Sequence, residues 1–278
     1  MRHLTSALKE IKLAIFDLDG VIYRGNTLIP GADTVIQELK DRSIKVRYNS
    51  NNSTITRDTY VKRLKDFKIP SEITDFYTSA SIASVEITKL KENANIFVIG
   101  EIGLRDELQL AGHRILTNPL IEDIDFVIVG LDREFTYEKL SIAQRCILEG
   151  KALFYATNAD STLPVAKGLK PGAGSMVSSL ITCTGQNPIR IFGKPEPFGI
   201  ELILRDTQIP PEQACIFGDR LNTDILAGNK AGIKSIAVLT GVTTRKMIDE
   251  VKDKDINSDI NLIPDLVVEK LGEIFENN

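Results

Sequence analysis

The sequence predicts an α/β protein: a doubly wound parallel sheet carrying a second, inserted α/β domain. Three observations point there. Short apolar runs alternate with amphipathic helical segments along the chain, the pattern of a parallel sheet covered by helices on both faces. With 278 residues the chain is long for one core and short for three. The residues able to do chemistry cluster before about position 55 and after about 190, and the middle carries no comparable carboxylate pair or lysine. The expected division is therefore a core of 1–92 plus 188–278 and an inserted domain of 93–187, with Asn187-Pro188 as the return hinge.

Taken in order, LAIF (13–16) reads as a strand buried on both faces. ADTVIQELKD (32–41) sets Val35, Ile36 and Leu39 at helical spacing, and IKVRY (44–48) alternates as a second strand. The polar loop SNNS follows, then a helix over 56–67 and another over 81–91. The middle adds strands at 95–99, 125–129 and 152–155 and a helix at 136–149. PGAGSM (171–176) could open a helix running to Thr182. The last third repeats the rhythm, with strands at 189–192, 214–217 and 235–239 and helices at 197–206, 223–231 and near 243–252.

Bulk properties exclude several function classes. A net charge of −4 leaves no basic footprint for nucleic acid. No apolar run approaches the roughly 18 residues of a membrane span, and the N-terminal stretch lacks a secretory pattern. Cys146, Cys183 and Cys215 are far apart and form no CxxC pair, which fits reduced thiols and a cytoplasmic location. His3 and His113 lie near no motif.

Ligands of an open parallel sheet bind beyond the carboxyl ends of its strands. Four polar features follow such ends: Asp17 and Asp19 after 13–16, Ser50 after 44–48, Lys194 after 189–192, and Asp219 with Asp224 after 214–217. If the four strands lie side by side, these groups converge. Two carboxylates roughly 5 Å apart repel by about 3 kcal/mol at an effective dielectric of about 20. A hard divalent cation such as Mg²⁺ relieves that repulsion through oxygen ligands. The Ser50 hydroxyl and the backbone N–H groups of 51–53, ahead of a helix start, suit an anion, and Lys194 suits phosphate. Each feature also has a plain structural reading: a solvated Asp-Gly turn, a helix cap, a surface lysine, an acidic first helical turn. It is their combination at successive strand ends that chance explains poorly.

DLDGVIYRG, SNNST, FGKPEP and GDRLNTDI, with PGAGSM in the inserted part, together resemble the phosphatases of the haloacid dehalogenase (HAD) superfamily. The branch is that of p-nitrophenyl phosphatase, phosphoglycolate phosphatase, pyridoxal phosphatase and ribonucleotide monophosphatase. The resemblance implies a Rossmann-like core with an α/β cap inserted between the second and third motifs. It implies Asp17 as nucleophile and Asp19 as general acid/base, with Ser50, Asn51, Asn52 and Lys194 binding the phosphoryl side of the substrate. It further implies Mg²⁺ held by Asp17, the main-chain carbonyl of Asp19 and Asp219, with Asp224 supporting the metal. Ser161, Thr162 and Leu163 of the cap would meet the leaving group. Two departures stand out: Ser50 replaces the usual threonine, and Arg47 and Asn49 replace apolar residues. The implied partner is a small phosphorylated metabolite: phosphoglycolate, glycerol phosphate, pyridoxal phosphate, a nucleotide or p-nitrophenyl phosphate. A homodimer is open, and no nucleic-acid or membrane partner is implied. The rival readings are a phospho-accepting signalling domain, against which stand the chain length and a nucleophile after the first strand, and a non-catalytic phosphoryl-binding protein.

Overall fold

Two separate parallel sheets organise the chain. The computed structural model describes residues 2–164, 168–254 and 261–276. One unit takes in Met1–Ser50, Val61–Tyr77 and Lys194–Asn278, the other Asn51–Tyr60 and Thr78–Gly193. The architecture is α/β in both.

In the first unit six strands run in the order Leu266–Val268, Lys234–Val238, Ala214–Gly218, Leu13–Phe16, Lys45–Ser50, Phe76–Thr78. Leu13–Phe16 lies in the interior of the sheet and pairs in parallel with Ala214–Gly218 on one side and Lys45–Ser50 on the other. Its four side chains are all buried, as an unbroken apolar run requires when helices cover both faces. Phe16 stacks on Phe217 across the ladder, ring centroids 4.6 Å apart. Helix Ala32–Asp41 buries the residues its spacing singled out, Val35, Ile36 and Leu39, and Ala32 besides. Helix Phe198–Thr207 buries Ile200, Leu202 and Ile203.

Arg47 and Lys45, polar residues in a core strand, both find partners. Arg47 pairs with Asp75 at 2.8 Å, and Lys45 Nζ donates to the Thr207 carbonyl at 3.1 Å. Asn49 is different: it is buried, and among the described residues its Nδ2 has no hydrogen-bond partner.

The second unit holds five strands in the order Arg190–Ile191, Leu153–Ala156, Phe126–Val129, Asn95–Ile99, Arg114–Ile115, parallel throughout. The segment 93–187 contains four of them; Arg190–Ile191 and helix Ser79–Leu90 lie outside it. Helices Tyr137–Leu148 and Ala173–Thr184 supply Ala143, Cys146, Ile147, Val177 and Leu180 to this unit's core.

The strand before Lys194 corrects a sequence expectation. Rather than joining the sheet that carries Asp17, Arg190–Ile191 pairs with Leu153–Ala156, and Phe192 stacks on Tyr155 at 5.5 Å. The apolar partners of this short strand belong to the second unit, and the chain passes into the first between Gly193 and Lys194. The helix expected at 223–231 is a π-helical turn, Leu221–Ile225, followed by a short α-helix, Leu226–Lys230. Helix Ile102–Leu110 and strands Phe76–Thr78 and Leu266–Val268 were not anticipated. The two strands have three residues each, too few to show a period, and the helix begins inside GEIG, which reads as a turn. No described helix is long and apolar enough to cross a membrane.

Candidate active site

The backbone of Asp17 continues the sheet, its N–H donating to the Phe217 carbonyl at 2.9 Å. Leu13–Phe16 and Ala214–Gly218 are in register, Phe16 opposite Phe217, so the residues just past both strands emerge at the same rim. One ligand oxygen from each of Asp17, Asp219 and Asp224 lies within 4.8 Å of the others. Lys194 joins them from a distant part of the chain. Its Nζ donates to Asp17 Oδ1 at 2.6 Å, to Asp224 Oδ1 at 2.5 Å and to the Asn49 carbonyl at 2.8 Å. These hydrogen bonds hold the ammonium group in place. Lys194, Asp219 and Asp224 are buried.

Glycines make this density possible. A Cβ on Gly218 would overlap Asp224, and one on Gly241 or Gly20 would overlap the Asp219 carboxylate. Gly20 also has φ +89°, so its place in the Asp-Leu-Asp-Gly turn is set by conformation as well as space. Asp219 Oδ2 accepts the Val242 N–H at 2.8 Å. Asp224 has both oxygens engaged, Oδ1 by Lys194 and Oδ2 by the Arg220 N–H at 3.1 Å. It therefore reads as a support for the cluster more than as a donor facing outward. The π-helical turn Leu221–Ile225 carries this carboxylate toward Gly218, and such turns often mark functional sites.

The electrostatics build on this crowding. Burial, reinforced by Asp224 and Asp219, pushes the Asp17 carboxyl up to about 8, against the pull of Lys194. Burial and then Asp224 push Asp219 up to about 6. For Lys194, burial works to lower the pKa, but the fields and hydrogen bonds of Asp17 and Asp224 outweigh it and the net shift is upward. The lysine stays charged while the carboxylates crowd one another, so the site asks for further positive charge. The donor set, buried carboxylate oxygens with one lysine and no sulfur or imidazole, fits a hard divalent cation such as Mg²⁺.

Asp19 stands apart from the triad. It is solvent-exposed on one side, and the desolvation of its covered side pushes its carboxyl pKa up, opposed by the Gly25 N–H and by Arg63, Arg220 and Arg24. Its turn is locked by the Gly20 N–H to the Tyr23 carbonyl, 2.7 Å, and by Thr240 Oγ1 to the Gly20 carbonyl, 2.6 Å. Ser50 is buried at the end of its strand, as its place in SNNST implies.

The remaining sequence-singled residues belong to the second unit. Asn52 Oδ1 accepts both the N–H (2.8 Å) and the hydroxyl (2.7 Å) of Thr54, an Asx turn that shapes the loop. Asn51 Nδ2 donates to Asp160 Oδ2 at 3.1 Å, and Asn158 Nδ2 donates to the same oxygen at 2.7 Å. Asp160 thus ties SNNST to the 157–160 loop. Sequence reading passed it over for its neighbours Ser161, Thr162 and Leu163, although an acid between two motif segments was a signal available to it. Those neighbours lead into the hairpin Thr162–Pro164 with Leu169–Pro171, and Ser161 lines a cavity of about 570 Å³ with Ser175 and Ser178. That cavity contains none of the carboxylates.

A model of the haloacid dehalogenase-like hydrolases matches residues 14–114, and a second model of HAD-like hydrolases matches 191–274. The chain is 36% identical to the acid sugar phosphatase of Staphylococcus haemolyticus, over 89% of this chain and 91% of that one. It is 35% identical to the 5'-nucleotidase YutF of Bacillus subtilis, over 89% and 94%. Among solved structures, the 4-nitrophenylphosphatase of Thermotoga maritima superposes with a TM-score of 0.87 at 32% identity, covering 96% of this chain and 97% of that one. Buried acids around a lysine at the rim of a parallel sheet, matched over nearly the full length by phosphatases, place the chain among the haloacid dehalogenase-like hydrolases as a phosphoric monoester hydrolase with the fold of the capped phosphatases.

Proposed function

We propose that the chain hydrolyses small phosphate monoesters through an aspartyl phosphate on Asp17. The observation that carries the reading is the clamp of Lys194 on Asp17 and Asp224, with Asp219 completing the acidic triad. Lys194 orients Asp17 and offers its charge to an incoming phosphoryl group, and the Ser50 hydroxyl borders the same rim. Asp17 attacks phosphorus as the bond to the ester oxygen breaks. Asp19, outside the triad and shifted toward its protonated form, gives its proton to the departing alkoxide. It then takes a proton from water, which attacks phosphorus, breaks the bond to Asp17 and releases inorganic phosphate. Two aspartates are needed because one group cannot be nucleophile and proton donor at once. Asp17, Asp219 and the main-chain carbonyl of Asp19 would hold Mg²⁺, with Asp224 in support, and the ion would supply the positive charge that three carboxylates and one lysine lack.

By the resemblance to the capped phosphatases, Asn51 and Asn52 are assigned to the phosphoryl side of the substrate, and Ser161, Thr162 and Leu163, within a cap formed around 93–187, to the leaving group. The relatives' names make sugar phosphates and nucleotides the first esters to screen. The direct test is Asp17→Asn on 4-nitrophenyl phosphate with Mg²⁺. Turnover should fall by about 10³-fold or more with the circular dichroism spectrum retained; turnover like wild type would end the reading. Asp19→Asn should slow esters with poor leaving groups most, and an equal loss on all esters would remove its role as proton donor.

A further inference from the structure

Three arginines border the turn that carries Asp19, the one carboxyl of the site that stands outside the acidic cluster. Arg24 lies in the hairpin Tyr23–Arg24 with Thr27–Leu28, directly after the Asp19 turn, and Asp19 itself bridges to Tyr23. The Arg24 guanidinium donates to the Thr240 carbonyl, which uses few of its five N–H donors. Arg63 lies over the Tyr23 ring, its Cζ 5.0 Å from the centroid, so its guanidinium is held against a buried aromatic face. Arg220 follows Asp219, whose side chain packs on Gly20, next to Asp19. Among the described residues none of the three forms an ion pair with Asp19 or with any other carboxylate. The triad has its own counter-charge in Lys194. The arginines do not share it, and they sit where the proton donor, and therefore the leaving group, is found.

We propose that Arg24, Arg63 and Arg220 form an anion subsite on the leaving-group side of Asp19, and that the preferred substrates are phosphate monoesters whose leaving group carries a second negative charge, a carboxylate or a second phosphate. The phosphoryl group is taken by Lys194 and the acidic cluster with its cation. A second anion on the leaving group then falls to guanidiniums, whose planar fork suits carboxylate and phosphate. A neutral leaving group of the same size leaves that rim unmatched.

This inference rests on the phosphatase reading, and the two fail differently: the reading fails if wild type does not turn over 4-nitrophenyl phosphate, the inference if it turns over esters without preference. The experiment compares kcat/KM in low salt for two matched pairs, 3-phosphoglycerate against glycerol 3-phosphate, and fructose 1,6-bisphosphate against fructose 6-phosphate. The expected result is at least a tenfold preference for the anionic member of one pair or both, about 1.4 kcal/mol, and which pair shows it tells carboxylate from phosphate. In Arg63→Gln and, separately, Arg24→Gln, that ratio should fall several-fold toward unity. Absence of the preference in wild type overturns the proposal. So does an equal loss on both members of a pair in the variants, which would reduce the arginines to general attraction of the phosphoryl group.

Discussion

The two parallel sheets of this chain have the same architecture and opposite chemistry at their strand ends. In the first, Leu13–Phe16 and Ala214–Gly218 run out into Asp17 and Asp219, with Asp224 and Lys194 folded in beside them, all held by one another. In the second, Leu153–Ala156 runs out into Thr157 and Asn158, buried but neutral and hydrogen-bonded: Thr157 Oγ1 donates to Asn158 Oδ1 at 3.0 Å, and Asn158 to Asp160. Neutral groups can be buried once their hydrogen bonds are made, whereas buried charges need a counter-charge as well. The first sheet therefore carries an electrostatic cost that a ligand can relieve, and the Thr157–Asn158 end of the second does not. The fold supplies a rim; the residues on it decide whether the rim does chemistry.

The largest test of that contrast is Lys194→Met. It removes the counter-charge of the first sheet and leaves Asp17 and Asp224 facing each other. In chelator, unfolding free energy from urea titration should drop by roughly 3–5 kcal/mol, and Mg²⁺ should restore part of it. A variant as stable as wild type in chelator would show that the charges are not in fact desolvated.

Next in size is a pH effect of opposite sign in the two units. Asp17 at about 8 and Asp219 at about 6 stand above the roughly 3.9 of an unfolded aspartate. The folded form thus binds more protons, and their contribution is fully present below about pH 4 and lost as pH rises toward 8. His113 works the other way. It accepts the Ala94 N–H on Nδ1 at 3.2 Å, so its proton sits on Nε2 toward Thr88 Oγ1, 2.9 Å away, and burial lowers its pKa. Its contribution is present above about 6.5 and lost as pH falls below that. Hydrogen exchange in chelator, corrected for intrinsic rates, should show amides of Leu13–Phe16 losing protection between pH 4 and 8, and those of Ser79–Leu90 losing it on acidification. Parallel responses in both units would erase the distinction.

The smallest effect is expected at Asn49. Its Nδ2 is buried without a partner among the described residues, in a strand otherwise packed on both sides. Asn49→Val keeps the carbonyl that Lys194 uses, removes the unpaired donor and suits a strand, and should raise stability by about 1 kcal/mol, a few degrees in melting temperature. A loss of stability would mean the amide is serving the site.

Much of the site was legible because its residues are adjacent to apolar strands and sit in short, dense motifs: DLDG, SNNST, FGKPEP, GDRLNTD. A strand that must be buried on both faces announces itself by composition, and the residues just past its carboxyl end must lie at the rim. Arg47 reads in sequence as a fault in a core strand; in space Asp75 answers it. His113 carries no local signal because its partners, Ala94 and Thr88, lie at sequence distances no local pattern spans, and the same holds for the tie of Asp160 to Asn51.

Sequence alone determined the α/β class and the strand that carries Asp17, because period and composition report burial directly, and it marked the acids and the lysine by their places just past strand ends. Only tertiary structure decided which sheet each strand joins. Arg190–Ile191 is too short to specify its neighbour and went to the second sheet, while Lys194, three residues on, ended among the acids of the first. Strand partners are chosen by packing between residues distant in the chain, and that information is not stored locally.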